Sequence, residues 1–249
     1  MTFYESAKIE IVEKHWLDRM TLLVGEAQTR RLQSANILIV GLGGVGGFAA
    51  EFLARAGVGK LTVVDGDEVD ITNKNRQIIA LDSTIGQSKA QLIKSRLEAI
   101  NPEINVEAIH QFVEPDKMLD LVGKGFDYVL DCIDSVQPKY HLILACKRHN
   151  TRFISSMGAG GKMDVSKVKV MNIWKTENDR LAYQIKKLLK RKKALRKFKV
   201  VCSTEPVHEE ALAYTDGTNY KKTYYGTISY MPAIFGLYMA EWVIRDVTE

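Results

Sequence analysis

The apolar run Ala35–Val40 (ANILIV), followed at once by Gly41-Leu42-Gly43-Gly44-Val45-Gly46, constrains this chain more than any other feature. A short apolar run that ends on glycines reads as a buried strand, and Val45–Ala56 has the spacing of a helix. The pattern G-x-G-x-x-G therefore stands at a strand-to-helix turn, where it has a physical meaning. Glycines let the backbone approach phosphate closely, and the helix N-terminus adds N–H donors and a positive dipole. Gly41, Gly43, Gly44 and Gly46 are accordingly assigned to a nucleotide site.

The alternation continues along the chain. Lys60–Val64 reads as a second strand ending at Asp65, Gln87–Ile100 as a helix stopped by Asn101-Pro102, and Asn105–Ile109 and Asp127–Asp131 as further strands. Lys139–His149 is a helix and Arg152–Ser155 a strand. Strand and helix in turn predict an α/β fold: a Rossmann-like, doubly wound, mainly parallel sheet with flanking helices. Beyond Gly158–Gly161, Lys167–Trp174 reads as an additional strand and Val200–Ser203 as a return to the sheet. Between them Asp179–Lys197 reads as a long basic helix with Leu181, Ile185, Leu188, Leu189 and Leu195 on its apolar side. Glu209–Tyr225 is polar, turns at Asp216-Gly217 and is expected to be a mobile loop. The chain thus divides into a helical arm (1–34), a nucleotide-binding core (35–161) and a C-terminal substrate-binding extension (162–249), read as one continuous domain.

Composition narrows the classes. Three cysteines without a C-x-x-C pair are too few for a disulfide framework and argue against structural zinc, which fits a reducing compartment. Residues 1–16 mix Glu5, Lys8, Glu10, Glu13 and Lys14 with their apolar residues, so they hold no signal-peptide core, and a cytoplasmic location is expected. Thr227–Ile244 is interrupted by Pro232, Gly236 and Glu241 and reads as a buried helix rather than a membrane span. Lys186–Lys199 carries nine Lys or Arg and no acid; taking these from the chain's 35 leaves 26 basic residues against 30 acidic. The basicity is local, of the kind that meets phosphate.

Asp65 ends the second strand about twenty residues beyond the glycines, where an acid can accept ribose hydroxyls of NAD or of ATP alike. The next residues decide between them. Asp65-x-Asp67-x-Val69, Asn73-x-x-Arg76-Gln77 and Gly86-x-x-Lys89 together resemble the adenylation domain of the ubiquitin-activating-enzyme-like superfamily, which includes ThiF-, MoeB- and HesA-type proteins. The resemblance implies that Asp65 and Asn73 lie at the ATP sugar and phosphates, and that Arg76 and Lys89 hold the triphosphate; Asp67 belongs to the same cofactor site, where it either supports the loop or assists magnesium. Asp131-Cys132-Ile133-Asp134 resembles the family's D-x-x-D strand end, whose second acid, here Asp134, would position Mg2+. Arg19 matches an N-terminal arginine that the superfamily inserts into a partner subunit's site, which implies a homodimer.

Adenylation explains these residue types. A carboxylate is a poor electrophile because oxide cannot leave, so it is joined to the α-phosphorus of ATP and AMP becomes the leaving group. Charge developing on the departing pyrophosphate calls for fixed cations, and Arg and Lys supply a bidentate fork and a compact charge.

Leu22-Leu23-Val24-Gly25-Glu26, Ser156-Met157-Gly158-Ala159-Gly160-Gly161-Lys162 and Cys202-Ser203-Thr204-Glu205 extend the similarity to the tRNA threonylcarbamoyladenosine dehydratases. That family implies ATP-dependent cyclisation of the threonylcarbamoyl group beside the anticodon; it leaves open a monovalent cation and a sulfur-carrier or cysteine desulfurase partner. The basic run fits tRNA independently, with Lys190, Arg191, Lys192, Lys193, Arg196 and Lys197 available to phosphates. Two other classes stand beside it: activation of a ubiquitin-like protein's C-terminus, which lacks support from any C-x-x-C pair, and a nicotinamide-dependent oxidoreductase, which leaves Arg76, Lys89 and Asp134 without a common purpose. Cys202, read in an exposed turn, is a candidate acyl or persulfide acceptor. Cys132 and Cys146 read as buried small residues, and the five histidines show no ligand or triad spacing.

Overall fold

The computed structural model describes residues 14–194, 197–214 and 223–249. The chain enters through α1 (Asp18–Val24) and α2 (Glu26–Ser34), then forms β1 (Asn36–Val40), α3 (Gly46–Arg55) and β2 (Lys60–Val64). It continues through α4 (Lys89–Ile100), β3 (Asn105–Ile109), α5 (Lys117–Gly123), β4 (Tyr128–Asp131), α6 (Val136–His149) and β5 (Arg152–Ser156). The last part comprises β6 (Val168–Asn172), α7 (Arg180–Arg191), β7 (Lys199–Ser203), β8 (Leu212–Tyr214), β9 (Thr223–Tyr225) and α8 (Tyr230–Thr248).

Seven strands pair in the order β3-β2-β1-β4-β5-β7-β6, parallel throughout except for β6, which runs antiparallel to β7. Strands covered on both faces need near-continuous apolar runs, and Ile37–Val40, Leu61–Val64 and Tyr128–Asp131 are buried throughout. One face carries α2, α3, α4 and α8 around Leu53, Ile93, Met231 and Phe235; the other carries α5 and α6 around Met118, Val122 and Leu142. α7 packs beside α6 through Ile185, Leu189 and Ala182.

The C-terminal helix is closely fitted to the glycine motif. A Cβ on Gly236 would lie 2.4 Å from the Val45 carbonyl oxygen, and one on Gly44 would lie 2.8 Å from Pro232 Cβ. α8 therefore crosses the start of α3 at a separation that only glycine allows, with Pro232 tolerated in its first turn. Among the described residues no helix is long and apolar enough to cross a membrane.

Three expectations change. The basic helix stops at Arg191 instead of Lys197: Lys193 turns left-handed (φ 54°), and Phe198 swings back to stack 5.1 Å from Phe153. Beyond Arg191 only Ala194 and Leu195 interrupt the charges, too few to extend the apolar face by another turn, whereas Phe198 is buried off the helix axis. The segment expected as a loop contains β8 and β9, paired antiparallel, while 215–222 lie outside the described residues. A seven-residue helix, α5, goes unpredicted; Met118, Leu121 and Val122 are its buried side. Of the helical arm, residues 1–13 lie outside the described residues.

Candidate nucleotide and adenylation site

The strand order reverses between β1 and β4, and ligands of open α/β sheets bind outside the carboxyl ends of strands at such a point. The glycine turn leaves β1 there and the D-x-x-D turn leaves β4. Gly46 is required for closure, since a Cβ would fall 1.8 Å from the Gly41 carbonyl oxygen. Gly43 is different. A Cβ on it would meet nothing nearer than Gln77 Nε2 at 3.7 Å, so the glycine leaves open room beside the start of α3. Gln77 itself is buried, and among the described residues its Oε1 has no hydrogen-bond partner. An orphaned acceptor beside an open glycine loop fits a ligand that brings its own donors, as a nucleotide does. The R-Q pair of the motif carried this signal, yet Gln77 was not among the residues assigned.

Asp65 anchors the loop: its Oδ2 accepts from Leu42 N at 2.6 Å and its Oδ1 from Asp67 N at 2.8 Å. Burial raises its pKa, opposed by the Lys89 charge and by these two backbone donors. Its visible work is thus to shape the turn, with further lone pairs left for a sugar. Lys89 begins α4, behind the Ser88 cap, and is 5% exposed with its Nζ 3.0 Å from Asp67 Oδ2. A cation in the first turn of a helix opposes the helix dipole, so its position is explained by the carboxylates that face it.

Arg76 and Asn73 leave the short turn after β2. Asn73 Oδ1 accepts from Asp70 N at 3.2 Å, closing a capping box that fixes the turn. Arg76 Nη1 donates to Thr72 O and Asn75 Oδ1, both at 2.9 Å. Among the described residues its Nε and Nη2 donate to no protein acceptor. Burial lowers the Arg76 pKa, opposed by the charges of Asp134 and Asp70; a Cβ on Gly44 would lie 3.2 Å from the Arg76 carbonyl oxygen, and one on Gly41 would lie 3.1 Å from Ile133 N, so both turns border the glycine loop. The two acids of D-x-x-D differ: Asp131 is fully buried and Asp134 is exposed.

Other assigned residues lie elsewhere. Arg19 is exposed on α1, and Leu17 beside it packs on Gly57, beyond the end of α3 farthest from the glycine turn. Cys202 is corrected: it lies within β7 at 0% exposure rather than in an exposed turn. Burial, followed by the Asp179 charge, pushes its thiol up to about 12, so it is held protonated. Lys190, Arg191, Lys192, Lys193 and Lys197 are exposed, and none forms an ion pair among the described residues; Arg196 lies outside them. α7 starts at the carboxyl end of β5, where Asp179 Oδ2 accepts from Gly158 N at 2.9 Å, and its 12 residues run about 18 Å toward the amino end of β7. The basic cluster therefore sits at the sheet edge opposite the glycine turn.

Lys162, unassigned from sequence, is buried and donates to the carbonyl oxygens of Asn178, Ser203 and Glu205 at 3.1, 3.0 and 2.9 Å. It ties the Gly158–Gly161 turn to the start of α7 and the end of β7. Among the described residues no three His, Cys, Asp or Glu side chains are grouped to hold a metal ion.

A glycine turn at the switch point, with one buried lysine, one arginine and one exposed carboxylate around it, defines a nucleotide-binding α/β protein built for charge on a polyphosphate. The chain belongs to the ThiF family, whose model matches residues 17–249. It is 40% identical over 183 residues to the tRNA threonylcarbamoyladenosine dehydratase of Escherichia coli (strain K12), covering 72% of this chain and 68% of that protein. It is 35% identical over 240 residues to the Bacillus subtilis (strain 168) enzyme of the same name, covering 94% of each. The structure of the E. coli dehydratase in complex with ATP matches with a TM-score of 0.84 at 33% identity, over 95% of this chain and 96% of that one.

Proposed function

We propose that this chain is an ATP-dependent dehydratase that adenylates the carboxylate of threonylcarbamoyladenosine in tRNA and closes it into a ring. The observation that carries the reading is the glycine loop bordered by the Arg76 and Cys132–Ile133 backbones, with Lys89 paired to Asp67, in a chain that aligns over most of its length with dehydratases of that name.

The substrate carboxylate attacks the α-phosphorus of ATP and pyrophosphate leaves, which makes AMP the leaving group on the acyl carbon. Lys89 and the uncommitted Nε and Nη2 of Arg76 stabilise the negative charge on the departing phosphates. The ureido group of the same modification then attacks the acyl carbon, gives up a proton and expels AMP. The oxygen lost from the substrate departs on AMP, so the nucleoside loses one water. Ring closure uses no enzyme nucleophile, in keeping with three thiols raised by burial.

Mg2+ fits the donor set as a phosphate-borne ion, since Asp134 is an exposed hard carboxylate and, among the described residues, no three His, Cys, Asp or Glu side chains form a cage. When bound it neutralises phosphate charge. A monovalent cation has a protein counterpart in the Lys162 ammonium, which already occupies a nest of three carbonyls.

We read the arm, core and extension as one functional unit, because β7 and β6 continue the core sheet and α8 covers the glycine turn. A homodimer is supported by Arg19 standing away from its own site and by Leu22 and Leu23, 90% and 84% exposed on the same helix. The basic cluster at the far sheet edge suits a polyanion large enough to span the protein, as tRNA is, and such a substrate belongs in the cytoplasm. The test is mass spectrometry of threonylcarbamoyl-modified tRNA incubated with the protein, ATP and Mg2+. Loss of one water only when ATP is present supports the reading; an unchanged nucleoside with folded, ATP-binding protein overturns it.

A further inference from the structure

Behind the D-x-x-D turn lies a charge that the adenylation chemistry leaves unused. Lys139, in the first turn of α6, is 0% exposed, with its Nζ 2.8 Å from Asp131 Oδ2. It also donates to Ser155 Oγ at 3.1 Å and to the Asp131 carbonyl oxygen at 3.4 Å, while Ser155 Oγ donates to Asp131 Oδ2 at 2.6 Å. The other carboxylate oxygen, Oδ1, accepts from Ile133 N at 3.2 Å, the residue immediately before Asp134. One face of the Asp131 carboxylate is therefore fastened to the core and the other to the turn that carries the exposed acid.

Stability alone does not account for this arrangement. Burying both charges costs several kcal/mol of desolvation per ion, and apolar side chains of similar size are often as stable or more so. The ammonium also lies at the wrong end of a helix for its dipole. What the pair supplies is direction: a buried carboxylate held by two donors below fixes the backbone above it.

We propose that Lys139 is a positioning residue that, through Asp131, holds the Ile133–Asp134 backbone where the Asp134 carboxylate meets the magnesium of bound ATP. The proposal rests on the role given to Asp134 above. Ser155, on the neighbouring strand β5, is the second strut of the same support.

The test replaces both charges by apolar side chains, Asp131→Leu with Lys139→Met, and measures by calorimetry the binding of ATP with Mg2+, ATP without it, and AMP. The expected result is a native-like melting temperature, AMP and metal-free ATP binding unchanged, and a Mg2+-dependent tightening of ATP reduced about 10–100-fold, as for other supports behind metal-holding side chains. Retention of that tightening overturns the proposal. So does equal weakening of all three ligands with a lowered melting temperature, which marks a structural pair only. Should the double variant fail to fold, Ser155→Ala removes one strut and is expected to reduce the same increment by a smaller factor; no change there overturns the proposal too. Asp134→Asn separates the layers: if it preserves the increment, the role of Asp134 fails, whereas if it abolishes the increment and the double variant does not, Lys139 alone is misassigned.

Discussion

Lys89 holds its ammonium 3.0 Å from the Asp67 carboxylate at the first position of α4, although the dipole of that helix repels it. The carboxylate is 37% exposed and the ammonium 6%, so the pair presents its negative partner to solvent and keeps the cation in place behind it. In the proposed reaction an incoming triphosphate would compete with Asp67 for that cation.

Lys89→Met and Arg76→Ala are each expected to lower ATP–pyrophosphate exchange by about 10²–10³-fold, the range for removing one preorganised charge stabiliser. Circular dichroism should show both folded. Arg76→Lys is expected to recover little, because two donors of Arg76 already hold the turn and a single ammonium cannot do both tasks. Near-native exchange in all three would remove these residues from the chemistry.

Glu51 links α3 to α4, meeting Arg55 at 2.9 Å and Arg96 on the other helix. Burial raises its pKa, but hydrogen bonds from Arg96 and Arg55 outweigh this and hold it below 4.5. A carboxylate depressed in the folded state stabilises the fold above its unfolded pKa, and that contribution is lost as pH falls through the folded value. Glu51→Gln should cost about 1 kcal/mol at neutral pH, since the arginines are partly solvated and screened, and should flatten the acid limb below pH 4.5. Chemical denaturation at several pH values measures both; parallel curves for the two proteins would contradict the assignment.

Phe235→Ala empties a fully buried site between α8 and the sheet, with an expected loss of about 3–5 kcal/mol. Because α8 braces Gly44 through Pro232, ATP affinity should fall as well, at temperatures where the variant remains folded. A thermal melt paired with titration calorimetry separates the two effects.

Charge reversal at Lys190, Lys192 and Lys197 should weaken tRNA binding and shallow its dependence on salt, by about one unit of slope for each phosphate contact removed. Exchange of pyrophosphate into ATP should be unaffected, because the cluster lies at the opposite sheet edge. An unchanged salt slope removes these residues from the tRNA interface.

Arg19→Ala and Lys89→Ala proteins, each inactive alone, should regain part of the activity when mixed and allowed to exchange subunits. In the mixed dimer one site receives an intact Arg19 and retains its own Lys89. Continued inactivity, with exchange verified by mass spectrometry, argues against a shared site.

The parallel strands were legible because strands buried on both faces are uninterrupted apolar runs, and β2 and β3 match their expected bounds. That the glycines, Asp65, Arg76 and Lys89 lie near one another was legible because their spacing is local to the ends of β1 and β2. What sequence could not reveal depends on contacts between distant segments. Lys139 looks like one more helical lysine until β4 and β5 place Asp131 and Ser155 beneath it, and Lys162 looks like a turn residue until the segment before α7 and the end of β7 direct three carbonyls toward it. Cys202 looked exposed because a polar Ser-Thr-Glu run follows it, whereas its own strand is interior. α5 was missed because seven residues with three buried positions leave too short a period to detect.

The fit of Gly236 against Val45 and of Pro232 against Gly44 has a temporal consequence. Every residue proposed to contact nucleotide precedes α8 in the chain, yet the glycine turn is braced only when α8 docks on it. A nascent chain thus carries the whole motif before its turn is braced, and on the proposed reading ATP rewards the docking of α8.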